Sequence, residues 1–119
     1  PIQTRTNYIA FPVESTDDWC FDTDAAGKIT HIDTASDHPC HQMLGLSYWT
    51  AADGARLAAC ANALYAKEQY RQLYWDEIML KYHPHECDVY IRECTREDVW
   101  EIDTVEELRE LEERMKYIC

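Results

Sequence analysis

Glycine is scarce: Gly27, Gly45 and Gly54 are the only three in 119 residues, and they stand apart from one another. A loop that wraps phosphates with backbone N–H groups needs several glycines in close succession, so the sequence holds no phosphate cradle of that kind. Long apolar runs are absent too. The longest extend for only a few residues, far below the roughly 20 of a membrane-crossing helix. Residue 1 opens no signal peptide, so a soluble, cytoplasmic protein without a membrane partner is expected. Basic residues are outnumbered, 11 Lys and Arg against 23 Asp and Glu, for a formal charge of -12. A field of that sign repels polyanions, which makes DNA and RNA poor partners. It suits a cation, and it suits a phosphorylated substrate only where a divalent metal or a basic segment neutralises the phosphates.

What is present fits one modest core. Hydrophobic residues make up 46% of the chain and aromatic ones 12%, enough for a single domain spanning residues 1–119 and too little for two. Six cysteines, Cys20, Cys40, Cys60, Cys87, Cys94 and Cys119, are spread through regular patterning and do not resemble a disulfide scaffold. Reduced, mostly buried thiols are expected.

The pattern along the chain predicts a strand over 7–13 and a hairpin over 18–33, with Trp19 and Phe21 on one face, Cys20 on the other, and Gly27 in the turn. The apolar run 42–49 reads as a central strand buried on both faces. Thr50 followed by Asp53 resembles a capping box opening a helix with Leu57, Cys60, Ala61, Leu64 and Tyr65 on its apolar side. A second helix is expected over 69–82, ended by Pro84. Strands are expected over 88–93 and 99–102. Thr104 with Glu107 opens a last helix with the stripe Val105, Leu108, Leu111, Met115 and Ile118, and with Glu110–Arg114 and Glu112–Lys116 pairs on its wet face. The order is α/β with a mixed sheet and flanking helices.

Two strings suggest chemistry. In Asp98-Val99-Trp100-Glu101-Ile102-Asp103-Thr104, strand alternation would send Glu101 and Asp103 to one face and Trp100 and Ile102 to the core. Paired oxygen ligands at a strand end are what Mg²⁺ uses beside substrate phosphates. The plainer reading is that Asp103 only precedes a helix cap and Glu101 is solvated. In Leu73-Tyr74-Trp75-Asp76-Glu77, two aromatics and two carboxylates share one turn. Trp75 suits the core and Tyr74 its rim; alternatively the rings and a carboxylate such as Asp76 receive an alkylammonium group, since ring quadrupoles attract a cation that cannot donate hydrogen bonds. Trp19, preceded by Asp17 and Asp18, offers a second wall. A weaker constellation is His38-Pro39-Cys40-His41 with His83-Pro84-His85-Glu86-Cys87, whose donors zinc accepts but whose spacing is not that of a firm zinc site.

Asn7-Tyr8, then Asp17-Asp18-Trp19, Gly45-Leu46-Ser47-Tyr48-Trp49, Leu73-Tyr74-Trp75-Asp76, Asp88-Val89-Tyr90-Ile91 and Trp100-Glu101-Ile102-Asp103-Thr104 together resemble the bacterial CTP:phosphocholine cytidylyltransferases, in order and approximate spacing over nearly the whole chain. The resemblance implies the C-terminal part of a Rossmann-like nucleotidyltransferase fold, with choline held by Trp19, Tyr74 and Glu101, Asp76 nearby, and Mg²⁺ on Asp103. It implies CTP and phosphocholine as substrates and no catalytic group separate from the substrate- and metal-binding ones. The family's Gly-rich loop and second metal-binding aspartate are not found. With no initiator methionine and no strand-turn-helix unit before Tyr8, a fragment lacking the nucleotide-binding half, inactive by itself, is expected. A sugar-1-phosphate nucleotidyltransferase and a non-catalytic binding module are the alternatives; the oligomeric state is not legible.

Overall fold

The computed structural model describes residues 2–117. Five strands, β1 (Asn7–Val13), β2 (Cys20–Thr23), β3 (Ile29–Asp33), β4 (Cys40–Tyr48) and β5 (Tyr90–Glu93), form one sheet in the order β3-β2-β4-β1-β5. β1 runs parallel to β5, and the other pairings are antiparallel, so the sheet is mixed as expected. The helices are α1 (Ala51–Tyr65), the short α2 (Trp75–Glu77), which continues into a π-helical turn over Ile78–Tyr82, and α3 (Val105–Met115).

The hairpin between β2 and β3 follows its turn chemistry. Asp24 Oδ1 accepts from the N–H groups of Ala26 and Lys28 at 2.9 and 3.0 Å, and Gly27 takes φ +82°, a value that side-chain-bearing residues rarely adopt. The turn then reaches the outer edge of β5: Ile29 N–H donates to the Val89 carbonyl at 2.7 Å and Ile91 N–H to that of Gly27 at 2.9 Å. The two edges of the sheet therefore meet, and the curled interior holds Tyr8, Ala10, Phe21, Ile29, Ile32, Leu80 and Val89. A second cluster of Leu64, Ile78 and Met79 lies under α1, and Trp49 and Cys87 pack against both clusters. Three consecutive buried residues, Ile78, Met79 and Leu80, cannot share one stripe of an α-helix; the wider π turn divides them between the two clusters.

α1 is capped as expected, with Thr50 Oγ1 accepting from Asp53 N–H at 3.2 Å. The Asp53 carboxylate accepts from buried Thr6, and Thr6 Oγ1 accepts from Thr50 N–H at 3.2 Å, which fastens the start of the helix to the start of β1.

Several expectations are corrected. β4 is central in the strand order, yet only Cys40 is buried along it, and Leu46 and Tyr48 are exposed. Its register against β1 jumps between Tyr8↔Ser47 and Ala10↔Met43, and Gly45, at φ +79°, sits in that irregularity. On β2, by contrast, Phe21 and Cys20 are both buried, as the expectation of buried thiols has it. The helix expected over 69–82 is interrupted at 71–74, where Tyr65 Oη donates to the Leu73 carbonyl at 2.9 Å and Tyr74 takes an extended conformation. No strand forms over 99–102. β1 accepts along its β5 side at Thr6 and Ala10; the next position on that side is Pro12, which has no N–H, so the ladder stops at Cys94. Trp100 and Ile102 consequently stay 36% and 42% exposed and are not core residues.

α3 has the expected capping box, but none of its residues is buried, and Ile118 lies outside the described residues. The expected i, i+4 pairs are replaced: Lys116 Nζ meets Glu113 at 2.6 Å, and the Arg114 guanidinium lies 4.8 Å over the Trp100 ring.

Burial pushes the Cys20 thiol up to about 12, with the neighbouring Cys40 thiol adding to it, and burial pushes Cys87 up to about 11. The unfolded chain ionises such thiols near ~8.5. The folded state therefore holds these protons more tightly, and their contribution to stability is full below that pH and is lost as pH rises through about 11 to 12. Urea unfolding under reducing conditions is expected to show a lower midpoint at pH 10.5 than at pH 8; an unchanged midpoint would contradict the burial of these thiols.

Candidate functional site

The site is organised around Tyr8, which is fully buried in β1. Its ring meets Phe21 edge-on at 5.3 Å and Trp49 edge-on at 6.2 Å, and stacks on Trp75 at 6.3 Å with a 26° interplanar angle. Trp49 and Trp75 also meet, at 6.1 Å. The Tyr8 hydroxyl donates to Asp76 Oδ1, and burial, then the Asp76 carboxylate, raise the phenol well above its ordinary range. Trp49 Nε1 donates to Ser47 Oγ at 3.1 Å. α2 is thus bolted to the sheet through its carboxylate and its indole. Burial raises Asp76 too, while the Tyr8 hydrogen bond stabilises the ionised form.

One residue before α2, Tyr74 projects from this anchored turn and is 65% exposed. Its ring meets Trp19 at 5.8 Å, nearly perpendicular at 81°. Trp19 is half-buried at the entrance to β2, and its carbonyl accepts from Met43 N–H at 2.9 Å, so β4 holds it in place. The structure therefore brings together two residues that lie 55 positions apart (74 − 19) and that the sequence offered as two walls of one site.

Glu101 and Asp103 lie on the irregular segment between β5 and α3. Glu101 lines a pocket of about 340 Å³ with Phe11, Gln42 and Trp100. Partial desolvation there raises its carboxyl, and Asp103, Asp18 and Glu107 add to the shift in that order. Asp18 is the residue before Trp19, and its carboxylate accepts from Gln42 Nε2 at 3.5 Å. The acidic segment before α3 thus shares its field with the entrance to β2, and the carboxylates around Glu101 favour a cation beside it. Asp103 is exposed. Its N–H donates to Glu107 Oε2 at 3.1 Å, while Thr104 Oγ1 accepts from Glu107 N–H at 3.1 Å, so the cap of α3 uses the Asp103 backbone and leaves its carboxylate out.

Among the described residues, no group of three or more His, Cys, Asp and Glu is placed to hold a metal. In the histidine-rich loop, His38 Nε2 meets Asp22 at 2.7 Å and His41 Nε2 meets Glu93 at 3.0 Å, so neither ring turns toward a shared centre. The sequence reading missed the anchoring role of Tyr8 and the placement of Arg96 and Arg114 on the Glu101 pocket. Asn7-Tyr8 entered only as a strand and as part of the family resemblance, and Arg114 was absorbed into a helix-surface pair.

No family model matches the chain. It is 34% identical over 103 residues to a 2-aminoethylphosphonate cytidylyltransferase of Lancefieldella rimae, a match covering 87% of the chain and 41% of that relative. It is 35% identical over 74 residues to a choline-phosphate cytidylyltransferase of Streptococcus pneumoniae, covering 62% of the chain and 32% of that relative. The solved CTP:phosphocholine cytidylyltransferase from Streptococcus pneumoniae superposes with a TM-score of 0.78 at 26% identity, over 95% of the chain and 49% of that structure. The resemblance read from the sequence is borne out, as is the nucleotidyltransferase type of fold. The chain spans about a third to a half of the length of these relatives.

Proposed function

We propose that this chain, a homologue of cytidylyltransferases over part of their length, forms the acceptor-binding side of an enzyme that transfers a cytidylyl group from CTP to phosphocholine. The observation that carries the reading is the Trp19–Tyr74 pair, open to solvent on the Tyr74 side and preceded in the chain by the acidic residues Asp17 and Asp18. Two ring faces and a negative field are what a quaternary ammonium needs, because it has no N–H to donate. In this reading Trp19, Tyr74 and Glu101 surround the cation, and Asp76 fixes the height of Tyr74 through its bond to Tyr8.

In the reaction, an oxygen of the acceptor phosphate forms a bond to the α-phosphorus of CTP as the bond to the β-phosphate oxygen breaks and pyrophosphate leaves. Positioning and charge neutralisation dominate such a transfer. Asp103 fits a Mg²⁺ ligand: its carboxylate is exposed and outside the cap of α3, and Mg²⁺ commonly takes one or two carboxylates together with substrate phosphates. When bound, Mg²⁺ would supply neutralisation of the phosphate charge.

A second reading has 2-aminoethylphosphonate as acceptor, favoured by the larger share of this chain that matches that relative. The two acceptors differ where the site is most specific. A primary ammonium donates three hydrogen bonds and relies on carboxylates, whereas a trimethylammonium relies on rings. Titrating the chain with each compound, followed by tryptophan fluorescence, separates them. Phosphocholine is expected to bind more tightly, and Tyr74→Ala is expected to weaken it by about 1–2 kcal/mol. Tighter binding of 2-aminoethylphosphonate, indifferent to Tyr74→Ala but lost in Glu101→Gln, would support the second reading instead.

A further inference from the structure

The pocket that holds Glu101 also holds two guanidinium groups, Arg96 from the turn after β5 and Arg114 from the last turn of α3. Among the described residues, three of the 11 Lys and Arg side chains pair with a carboxylate. Lys28 takes Asp88 at 2.9 Å, Arg56 takes Asp53 at 2.8 Å, and Lys116 takes Glu113 at 2.6 Å. Arg96 and Arg114 take none among the described residues. Each lies instead over an aromatic ring, Arg96 at 4.7 Å over Phe11 and Arg114 at 4.8 Å over Trp100. A guanidinium held over a ring keeps its charge and its N–H donors, and an arginine fork suits a phosphate or phosphonate. Gln42 adds a side-chain amide to the same wall.

We propose that Arg96 and Arg114 form a subsite for the tetrahedral oxyanion of the acceptor, in the pocket of about 340 Å³ that they line together with Phe11, Gln42, Trp100 and Glu101. The identity of the anion rests on the acceptor reading above; the existence of the subsite does not. The arrangement also meets the requirement set by the charge of the chain, that a phosphorylated ligand be neutralised locally. The phosphate and the phosphonate of the two relatives' substrates have the same tetrahedral shape and charge, so this part of the site serves either acceptor and leaves discrimination to the aromatic pair.

The test uses the chain with inorganic phosphate, choline, phosphocholine and CTP, each followed by ¹⁵N chemical-shift titration. Arg96→Gln and Arg114→Gln are expected to weaken inorganic phosphate and phosphocholine about ten-fold each while leaving choline unchanged, the scale of one lost charge-assisted hydrogen-bond pair. Lysine at either position is expected to restore part of the loss, because charge is kept and the fork is not. Glu101→Gln is expected to act with the opposite sign on inorganic phosphate, tightening it by removing a like charge. The unchanged choline titration in the arginine variants shows that they remain folded. Wild-type affinity for phosphocholine in both arginine variants would overturn the proposal, and so would losses confined to CTP, which would assign the anion to the nucleotide. If inorganic phosphate binds through the two arginines but choline does not bind at all, the subsite stands and the phosphocholine reading falls.

Discussion

Asp103→Asn, made in the full-length polypeptide, is expected to lower the rate of cytidylyl transfer about 100-fold or more and to raise the Mg²⁺ concentration needed for half-maximal activity, while thermal stability stays nearly unchanged. The substitution keeps the shape of the side chain and removes its charge. The structure makes the stability part of this forecast specific. The cap of α3 is made by Thr104 Oγ1 and by the Glu107 carboxylate, which reaches the backbone N–H of Asp103, so the Asp103 side chain has no share in it. A structural role would lower stability by about 1 kcal/mol, the scale of a lost cap, and activity would follow only the folded fraction. Thr104→Ala supplies the contrast, with a loss of about 1 kcal/mol in stability and little change in the Mg²⁺ requirement. A stable Asp103→Asn enzyme with normal turnover and normal Mg²⁺ dependence would remove Asp103 from the site.

The largest expected effect on folding is at Phe21. It is fully buried at the centre of the sheet's concave side, edge-on to Tyr8 at 5.3 Å and in the same cluster as Ile29, Ile32 and Leu80. Phe21→Ala is expected to cost about 3–5 kcal/mol, since the lost transfer energy is joined by a cavity that strands on both sides cannot close. For a domain stabilised by about 5–15 kcal/mol this is a large fraction, and the variant should unfold at a much lower urea concentration. Leu108→Ala on the exposed face of α3 is the control; its side chain is 41% exposed, and the expected loss is within about 1 kcal/mol. Equal losses at Phe21 and Leu108 would mean that the core is not where the structure places it.

The elements that were legible in the sequence are those whose signals are local. Gly27 after Asp24 writes the hairpin turn, Thr50 and Thr104 write the two helix starts, and the apolar, β-prone run 7–13 writes β1. What was not legible depends on distant partners. Residues 99–102 have strand-like composition, but Pro12, far away in β1, denies them a ladder to continue. The stretch 69–82 has helical periodicity, but a hydroxyl on Tyr65 captures the Leu73 carbonyl and breaks it, and that break is what projects Tyr74 toward Trp19. Of the candidate site, the pairing of Trp19 with Tyr74 was expected, and the contacts that hold the pair in place were not. Trp19 and Tyr74 were expected as two walls of one site, whereas the bond from Tyr8 to Asp76 that sets α2 against the sheet joins positions 68 apart. Asp76 was expected near the ligand as a neighbour of Tyr74; the structure shows its carboxylate accepting from the Tyr8 hydroxyl, a partner that the local string did not announce.

The most direct measurement is a crystal structure of the full-length polypeptide with phosphocholine, Mg²⁺ and a non-hydrolysable CTP analogue. The trimethylammonium group is expected between the rings of Trp19 and Tyr74 with Glu101 beside it, the acceptor phosphate on Arg96 and Arg114, and the metal on Asp103. An acceptor bound away from the Trp19–Tyr74 pair, or the nucleotide base lodged between those two rings, would contradict the assignment of this chain to the acceptor side.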